Sequence, residues 1–506
     1  MHIRQLLTMI REDTRLRILL SAGFLIQLIL CFSAVGVYHP DQYFQIIEFS
    51  SYQLNRPSAV HSVWEFAAHL RPTIQVYLFS AYYEACAALG VQDPYLQLEM
   101  LRIVFGLLLF AFFNAIALYY FAGGRRVVLY WVLFLLNFSW ILPYTRTLFS
   151  SEMLSSLLFF GALFLYETRR GPDVASPGLA LLTGFVFSLA FYARFQTGFA
   201  LAGFFLWLLL QGGDRRGLWW MGIGFLAGVG LNTLLDSLFY HEAVFTPYVY
   251  YRVNITEGKA ASMGTSSFLL YIGVLIAVIL TPPLSIFLLG AGFRQALRTK
   301  FDRPIVTSVV FFILGHCLVA HKEERFLFPI LNVLPIFVGW GLPGLLDWYR
   351  RRGRGAARWL KGMAVFSIGL NGLLLAVLLF TPYSQAIYFT WLLKKDFGGR
   401  PATIYTLGHS PFQTGERLPY VFYQNGVRNL SWKKVPSEDS LIGVSDKATY
   451  FSATYNDLKD RPGLPDSLGY EKVIYSSRLL WRINELIGSM KMNTINDIWV
   501  LYRKKR

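Results

Sequence analysis

Apolar runs of about twenty residues, separated by short clusters of arginine, dominate this chain. A bilayer's hydrocarbon core is about 30 Å thick, so a helix needs roughly 20 apolar residues to cross it. On that ruler the sequence predicts eleven spans, near residues 17–37, 100–121, 127–144, 148–166, 177–193, 197–211, 218–240, 268–291, 305–320, 326–346 and 362–381. Composition agrees. Hydrophobic residues make up 55% of the 506 and charged residues only 15%, where a soluble chain carries about 25% charged. The expected class is an all-α polytopic membrane protein.

The net charge of +17 invites a nucleic-acid reading, and its distribution argues against one. With the N-terminus inside, basic residues crowd the inner segments: Arg4, Arg11, Arg15 and Arg17, then the pairs Arg125–Arg126, Arg169–Arg170 and Arg215–Arg216. Arg294, Arg298, Lys300 and Arg303 follow, and then Arg350, Arg351, Arg352, Arg354, Arg358 and Lys361. The outer connections hold only Arg56, Arg71, Arg146, Arg194, Arg252, Lys259, Lys322 and Arg325, over much more sequence. This positive-inside bias sets the expected orientation. The first apolar run is long and is followed by others, so it reads as a retained anchor. Cys31, Cys86 and Cys317 offer neither a disulfide framework nor a cysteine zinc site.

Residues 1–381 are expected to form the membrane domain, with large exported loops at 38–99 and 241–267. The first loop includes an aromatic-rich amphipathic stretch, Val76–Ala88, of the kind that lies along an interface. Residues 382–506 are expected to form a small exported α/β domain. Its strands are predicted at Ala402–Leu407, Tyr420–Gln424, Thr449–Thr454, Glu471–Tyr475 and Ile498–Tyr502, with a helix at Ile483–Met490.

Two polar clusters fall at the outer boundary. His321-Lys322-Glu323-Glu324-Arg325 sits between the apolar runs Val306–Ala320 and Phe326–Leu342. Ionisable groups there are costly unless they face water, pair with one another or hold a ligand. Lys322 and Arg325, with Arg71 and Arg146 just beyond other apolar runs, suit a phosphate on a lipid carrier at headgroup depth. The second cluster starts at His39-Pro40-Asp41. Pro40 suits the first turn of a helix, and in a helix continuing from it Asp41, Gln45 and Glu48 would share one face. An aspartate held there could accept a hydroxyl proton. Each cluster also has a plainer reading, as a solvated turn or a helix cap. The histidines show no HExxH pattern, and there is no GxxxxGK[ST] loop, no strand-linked GxGxxG and no DxD motif. Metal and nucleotide-sugar chemistry are therefore not expected.

At these residues the chain resembles the multispanning mannosyltransferases of glycosyltransferase family 22, which build glycosylphosphatidylinositol anchors and the lipid-linked precursor of asparagine glycosylation. His321-Lys-Glu-Glu-Arg-Phe326…Pro329 is similar to the family's His-Lys-Glu-x-Arg-Phe hallmark. His39-Pro40-Asp41 is similar to its His-Pro-Asp-Glu, with Gln42 in place of the glutamate. Trp64-Glu65…Leu70-Arg71 and Thr246-Pro247…Asn254…Gly258…Gly264-Thr265 resemble further motifs. Leu407-Gly-His409-Ser-Pro411 is similar to a tail segment of the anchor-building branch.

The resemblance implies a GT-C fold and an inverting transfer of mannose, or a related sugar, from a polyprenyl or dolichyl phosphate to a lipid-linked glycan. It implies Asp41 as general base, with Lys322, Arg325 and Arg71 at the donor phosphate. Glu48, Glu65, His321 and Glu324 become candidates for sugar or acceptor contacts. Donor, acceptor and membrane lipids would be the partners, with no cofactor, metal or nucleic acid. The setting would be a bacterial inner membrane with a periplasmic site, or the endoplasmic reticulum with a lumenal one. The rival classes are a flippase or transporter of lipid-linked glycans, and another lipid-phosphate-sugar transferase. A transporter would place ionisable groups at mid-span and show duplicated halves.

Overall fold

A computed structural model of the protein describes residues 3–168, 176–211, 215–414, 418–489 and 498–505. The chain divides into two units: Met1–Ser33, Glu65–Leu78 and Leu101–Thr381 form the first, and Ala34–Trp64, Phe79–Met100 and Pro382–Arg506 the second. The pair Arg169–Arg170 and the expected helix end at Met490 lie outside the described residues.

Among the described residues of the first unit, eleven unbroken spans are not found. Among the described residues four helices are long and apolar enough to cross a bilayer: Thr14–Ser33, Pro94–Phe121, Arg216–Tyr240 and Ala357–Leu379. A fifth crossing would be the pair Glu324–Leu331 and Leu334–Arg350, bent by 65°. The other expected spans are shorter, interrupted or more polar, and the interruptions have local causes. Pro282 and Pro283 lack N–H groups and divide the expected span 268–291 into helices Leu269–Val278 and Leu284–Thr299. Side chains then satisfy the freed backbone: Ser139 Oγ accepts from Leu280 N at 3.3 Å and Ser367 Oγ from Leu284 N at 3.1 Å. The expected span 127–144 likewise stops at Phe138, where the Asn371 amide donates to Phe138 O and accepts from Trp140 N. Irregular backbone inside apolar surroundings needs such partners.

The second unit carries a five-stranded mixed sheet. Strands β1 (Ala402–Leu407), β2 (Leu430–Val435), β3 (Tyr450–Thr454), β4 (Tyr470–Tyr475) and β5 (Trp499–Lys504) lie in the order β2-β1-β3-β5-β4. β1 runs parallel to β2 and β3, while β5 is antiparallel to β3 and β4. Phe451 stacks on Tyr502 in a core shared with Leu441, Tyr470 and Trp481. Four of the five expected strands form. The fifth, Tyr420–Gln424, is instead a turn of helix, Val421–Gln424, with Phe422 and Tyr423 buried. β2 was not anticipated, because only its end residues Leu430 and Val435 are buried and no alternation marks it.

The expected interfacial stretch lies in helix Ile74–Ala88, whose buried residues Val76, Phe79, Tyr83 and Cys86 recur at helical spacing.

Candidate functional site

In the first unit, helix Pro304–Leu318 ends just before the charged run, and its successor starts with the 3₁₀ turn Glu324–Leu327. Lys322 and Arg325 are buried, while Glu324 is exposed. The charges are paired in a chain. Arg325 Nε donates to Glu323 Oε2 at 2.5 Å, and the other carboxylate oxygen of Glu323 lies 2.9 Å from His321 Nε2. His321 Nδ1 is 2.9 Å from the carbonyl of Gly264, and the Lys322 ammonium donates to the carbonyl of Val319. Gly264 has φ +110°, a conformation open to glycine and rarely to other residues. That conformation turns the second long loop onto the charged run, which accounts for the Gly264-Thr265 motif.

Arg325 also lies 3.7 Å from Glu152, a buried carboxylate in the first turn of helix Ser151–Thr168. Arg194, at the end of helix Pro177–Ala193, donates to the same Glu152 oxygen at 2.7 Å. Neither Glu152 nor Arg194 was singled out from the sequence, although each ionisable group stands at the end of an apolar run.

Glu65 and Arg71 form a second pair, with Arg71 Nη2 donating to Glu65 Oε1 at 2.6 Å. Tyr240 donates to the Arg71 carbonyl, and the Arg71 guanidinium lies 5.9 Å from the Tyr250 ring centre. Gln196, two residues past Arg194, donates to the Tyr250 hydroxyl. Asp236, also missed in the sequence, ties this region together. Its Oδ1 accepts from both Thr73 N and Thr73 Oγ1 at 2.7 Å, and its Oδ2 from Thr246 Oγ1 at 2.5 Å. Thr246 of the Thr-Pro motif therefore has a structural partner.

Arg146 is displaced from its expected place at a lipid headgroup. It is wholly buried, with Nε donating to Gln27 at 2.9 Å and Nη2 near Asn137 at 3.4 Å.

Asp41 belongs to the second unit. Pro40 opens the short helix Pro40–Gln42, as expected, and His39 caps it, accepting from Asp41 N at 3.2 Å. His39 Nδ1 lies 3.6 Å from the Asp41 carboxylate, which is 29% exposed. The expected face of Asp41, Gln45 and Glu48 does not form, because residues Tyr43–Glu48 wind as a π-helix and all six are buried. The wider turn brings Tyr43 and Glu48, five apart, into contact, so the Tyr43 hydroxyl donates to the Glu48 carboxylate. Glu48 also accepts from Ala59 N at 2.8 Å and Phe422 N at 3.4 Å. Burial raises the Glu48 carboxyl above its ordinary value, against those hydrogen bonds, which lower it. In the tail, His409 follows β1 and lies 4.0 Å from Asp457.

Among the described residues no group of three or more His, Cys, Asp or Glu side chains is placed to hold a metal ion.

Comparison with known proteins adds what geometry alone does not. The chain is 23% identical to a human GPI alpha-1,2-mannosyltransferase 3 over 326 residues, which is 63% of this chain and 56% of that one. It is 30% identical to a Candida albicans GPI mannosyltransferase 3 over 139 residues, 27% of each chain. The chain thus spans little more than half the length of the human relative. Among solved structures, ArnT from Cupriavidus metallidurans bound to undecaprenyl phosphate aligns over 96% of this chain and 97% of that one, at 13% identity and a TM-score of 0.49. An Archaeoglobus fulgidus oligosaccharyltransferase aligns over 87% and 68%, at 14% identity and the same score. The profile of the Alg9-like mannosyltransferase family matches residues 18–390, which takes in the charged run, the Glu65–Arg71 pair, the Asp236 tie and Asp41. The chain belongs to the Alg9-like mannosyltransferase family.

Proposed function

We propose that this protein transfers mannose from a polyprenyl or dolichyl phosphate to a lipid-linked glycan at the non-cytoplasmic face of a membrane, with inversion at the sugar. Family membership and relatives named as GPI mannosyltransferases support the sugar and the lipid-anchored acceptor. The basic inner segments support the sidedness. In this reading the protein has a GT-C fold and needs neither cofactor nor metal, because side-chain cations meet the donor phosphate. The acceptor hydroxyl attacks the anomeric carbon, the carbon–oxygen bond to phosphate breaks, and the lipid phosphate leaves. Asp41 takes the hydroxyl proton, oriented by His39. Lys322, Arg325 and Arg71 neutralise the phosphate as charge develops on it. In this reading Glu65 and Glu323 orient those cations, and His321 and Glu324 contact the sugar or the acceptor. Glu48, tied to Tyr43 and to Ala59 N, holds the segment that follows Asp41.

One observation carries the reading: two cations of the His-Lys-Glu-x-Arg-Phe motif, Lys322 and Arg325, are buried beside an apolar helix end. Losing one partner of a buried charge-assisted contact typically costs about 2–5 kcal/mol of binding. Lys322→Ala and Arg325→Ala should therefore raise the donor concentration needed for half-maximal transfer by about 30-fold or more. Unchanged donor dependence in folded variants would return the run to a capping turn.

A further inference from the structure

Glu152 is a buried carboxylate shared by two buried guanidinium groups. Arg194 Nη1 lies 2.7 Å and Arg325 Nη1 3.7 Å from the same oxygen, and all three side chains are less than a tenth exposed. Both guanidinium groups flank the Phe326 ring, at 4.9 and 5.5 Å from its centre. Arg325 also donates from Nε to Glu323, so its guanidinium is held between two carboxylates. Arg194 Nε, moreover, is buried and finds no hydrogen-bond partner among the described residues. Few buried N–H groups stay unpaired in folded proteins, so one in a charged cluster marks a place for an acceptor.

We infer that Arg194 is a second guanidinium for the phosphate of the lipid-linked donor, held beside Arg325 by Glu152; this rests on the reading of Lys322 and Arg325 as donor-phosphate ligands. Glu152 is then a positioning residue. It spaces the two planar forks so that both can engage phosphate oxygens, which a lysine would meet only as a point charge.

The test uses the full chain in detergent micelles, titrated with a sugar-free polyprenyl phosphate and with the corresponding uncharged polyprenol. The readout is the ratio of the two affinities, which a purely structural ion pair would not move. Arg194→Gln should lower that ratio about 30-fold or more, as should Arg325→Ala. Glu152→Gln, with both arginines in place, should lower it by a smaller factor. Should Arg194→Gln fail to fold, Arg194→Lys keeps the charge opposite Glu152 and loses the fork, and should lower the ratio about 10-fold. An unchanged ratio in the Arg194 variants, with loss in Arg325→Ala, overturns the inference and leaves the donor reading standing. An unchanged ratio in Arg325→Ala as well overturns both.

Discussion

Arg325 is held by two carboxylates, Glu323 at 2.5 Å and Glu152 at 3.7 Å, and Arg194 shares the second of them. His321, Lys322 and Arg325 could be read because they stand together in a motif. Glu152 and Arg194 could not, because Arg194 lies 42 residues and Arg325 more than a hundred residues from Glu152, and no local pattern records either pairing. Glu48 was legible as a polar residue beside Asp41, and its neighbours were not, since α-helical spacing points it one way and the π-helix another. That environment has a consequence for pH. Burial raises the Glu48 carboxyl above its ordinary 4.5, so the folded state holds this proton more tightly than the unfolded one. The contribution to stability is full below the unfolded value and is lost as pH rises through the raised folded value. Thermal unfolding in detergent between about pH 4 and 8 should show Glu48→Gln flattening this part of the profile. An identical slope in the wild type and the variant would mean that Glu48 titrates normally.

At the scale of elements, hydropathy found the helices and misjudged their continuity. Apolar content marks what can enter a bilayer, whereas the breaks at Ser139 and at Pro282–Pro283 depend on Asn371 and Ser367, which are distant in sequence. In the tail, alternating or aromatic-rich strands were legible and β2, with its exposed Lys433 and Lys434, was not. The Asp236 tie is the clearest element-level device, since one carboxylate joins the end of helix Arg215–Tyr240 to Thr73 and Thr246. Asp236→Ala leaves the Thr73 N–H and two hydroxyls without their acceptor, at about 1–3 kcal/mol for each that stays unsatisfied. It should lower the midpoint of thermal unfolding by several degrees, with Asp236→Asn intermediate. An unshifted midpoint in the alanine variant would show that the loops are held by other means.

For the whole molecule, the mixture of long helices, broken apolar segments and a separate mixed sheet was legible in outline from composition and charge. The proposed orientation rests on the arginine bias, and it has a direct check. A reporter fused after Arg506 should behave as exported and one inserted at Arg352 as cytoplasmic; both on one side would undo the proposed sidedness. The central claim is sugar transfer from a lipid phosphate with Asp41 as base, and the most direct test is an assay of purified protein with polyprenyl-phosphate mannose and a lipid acceptor extract, read by mass spectrometry. The wild type should add one hexose to a lipid-linked glycan. Asp41→Asn, which keeps the shape and cannot take the proton, should be slower by about 10²–10⁴-fold with donor binding intact. Near-normal turnover by Asp41→Asn, or no transfer by the wild type, would contradict the account.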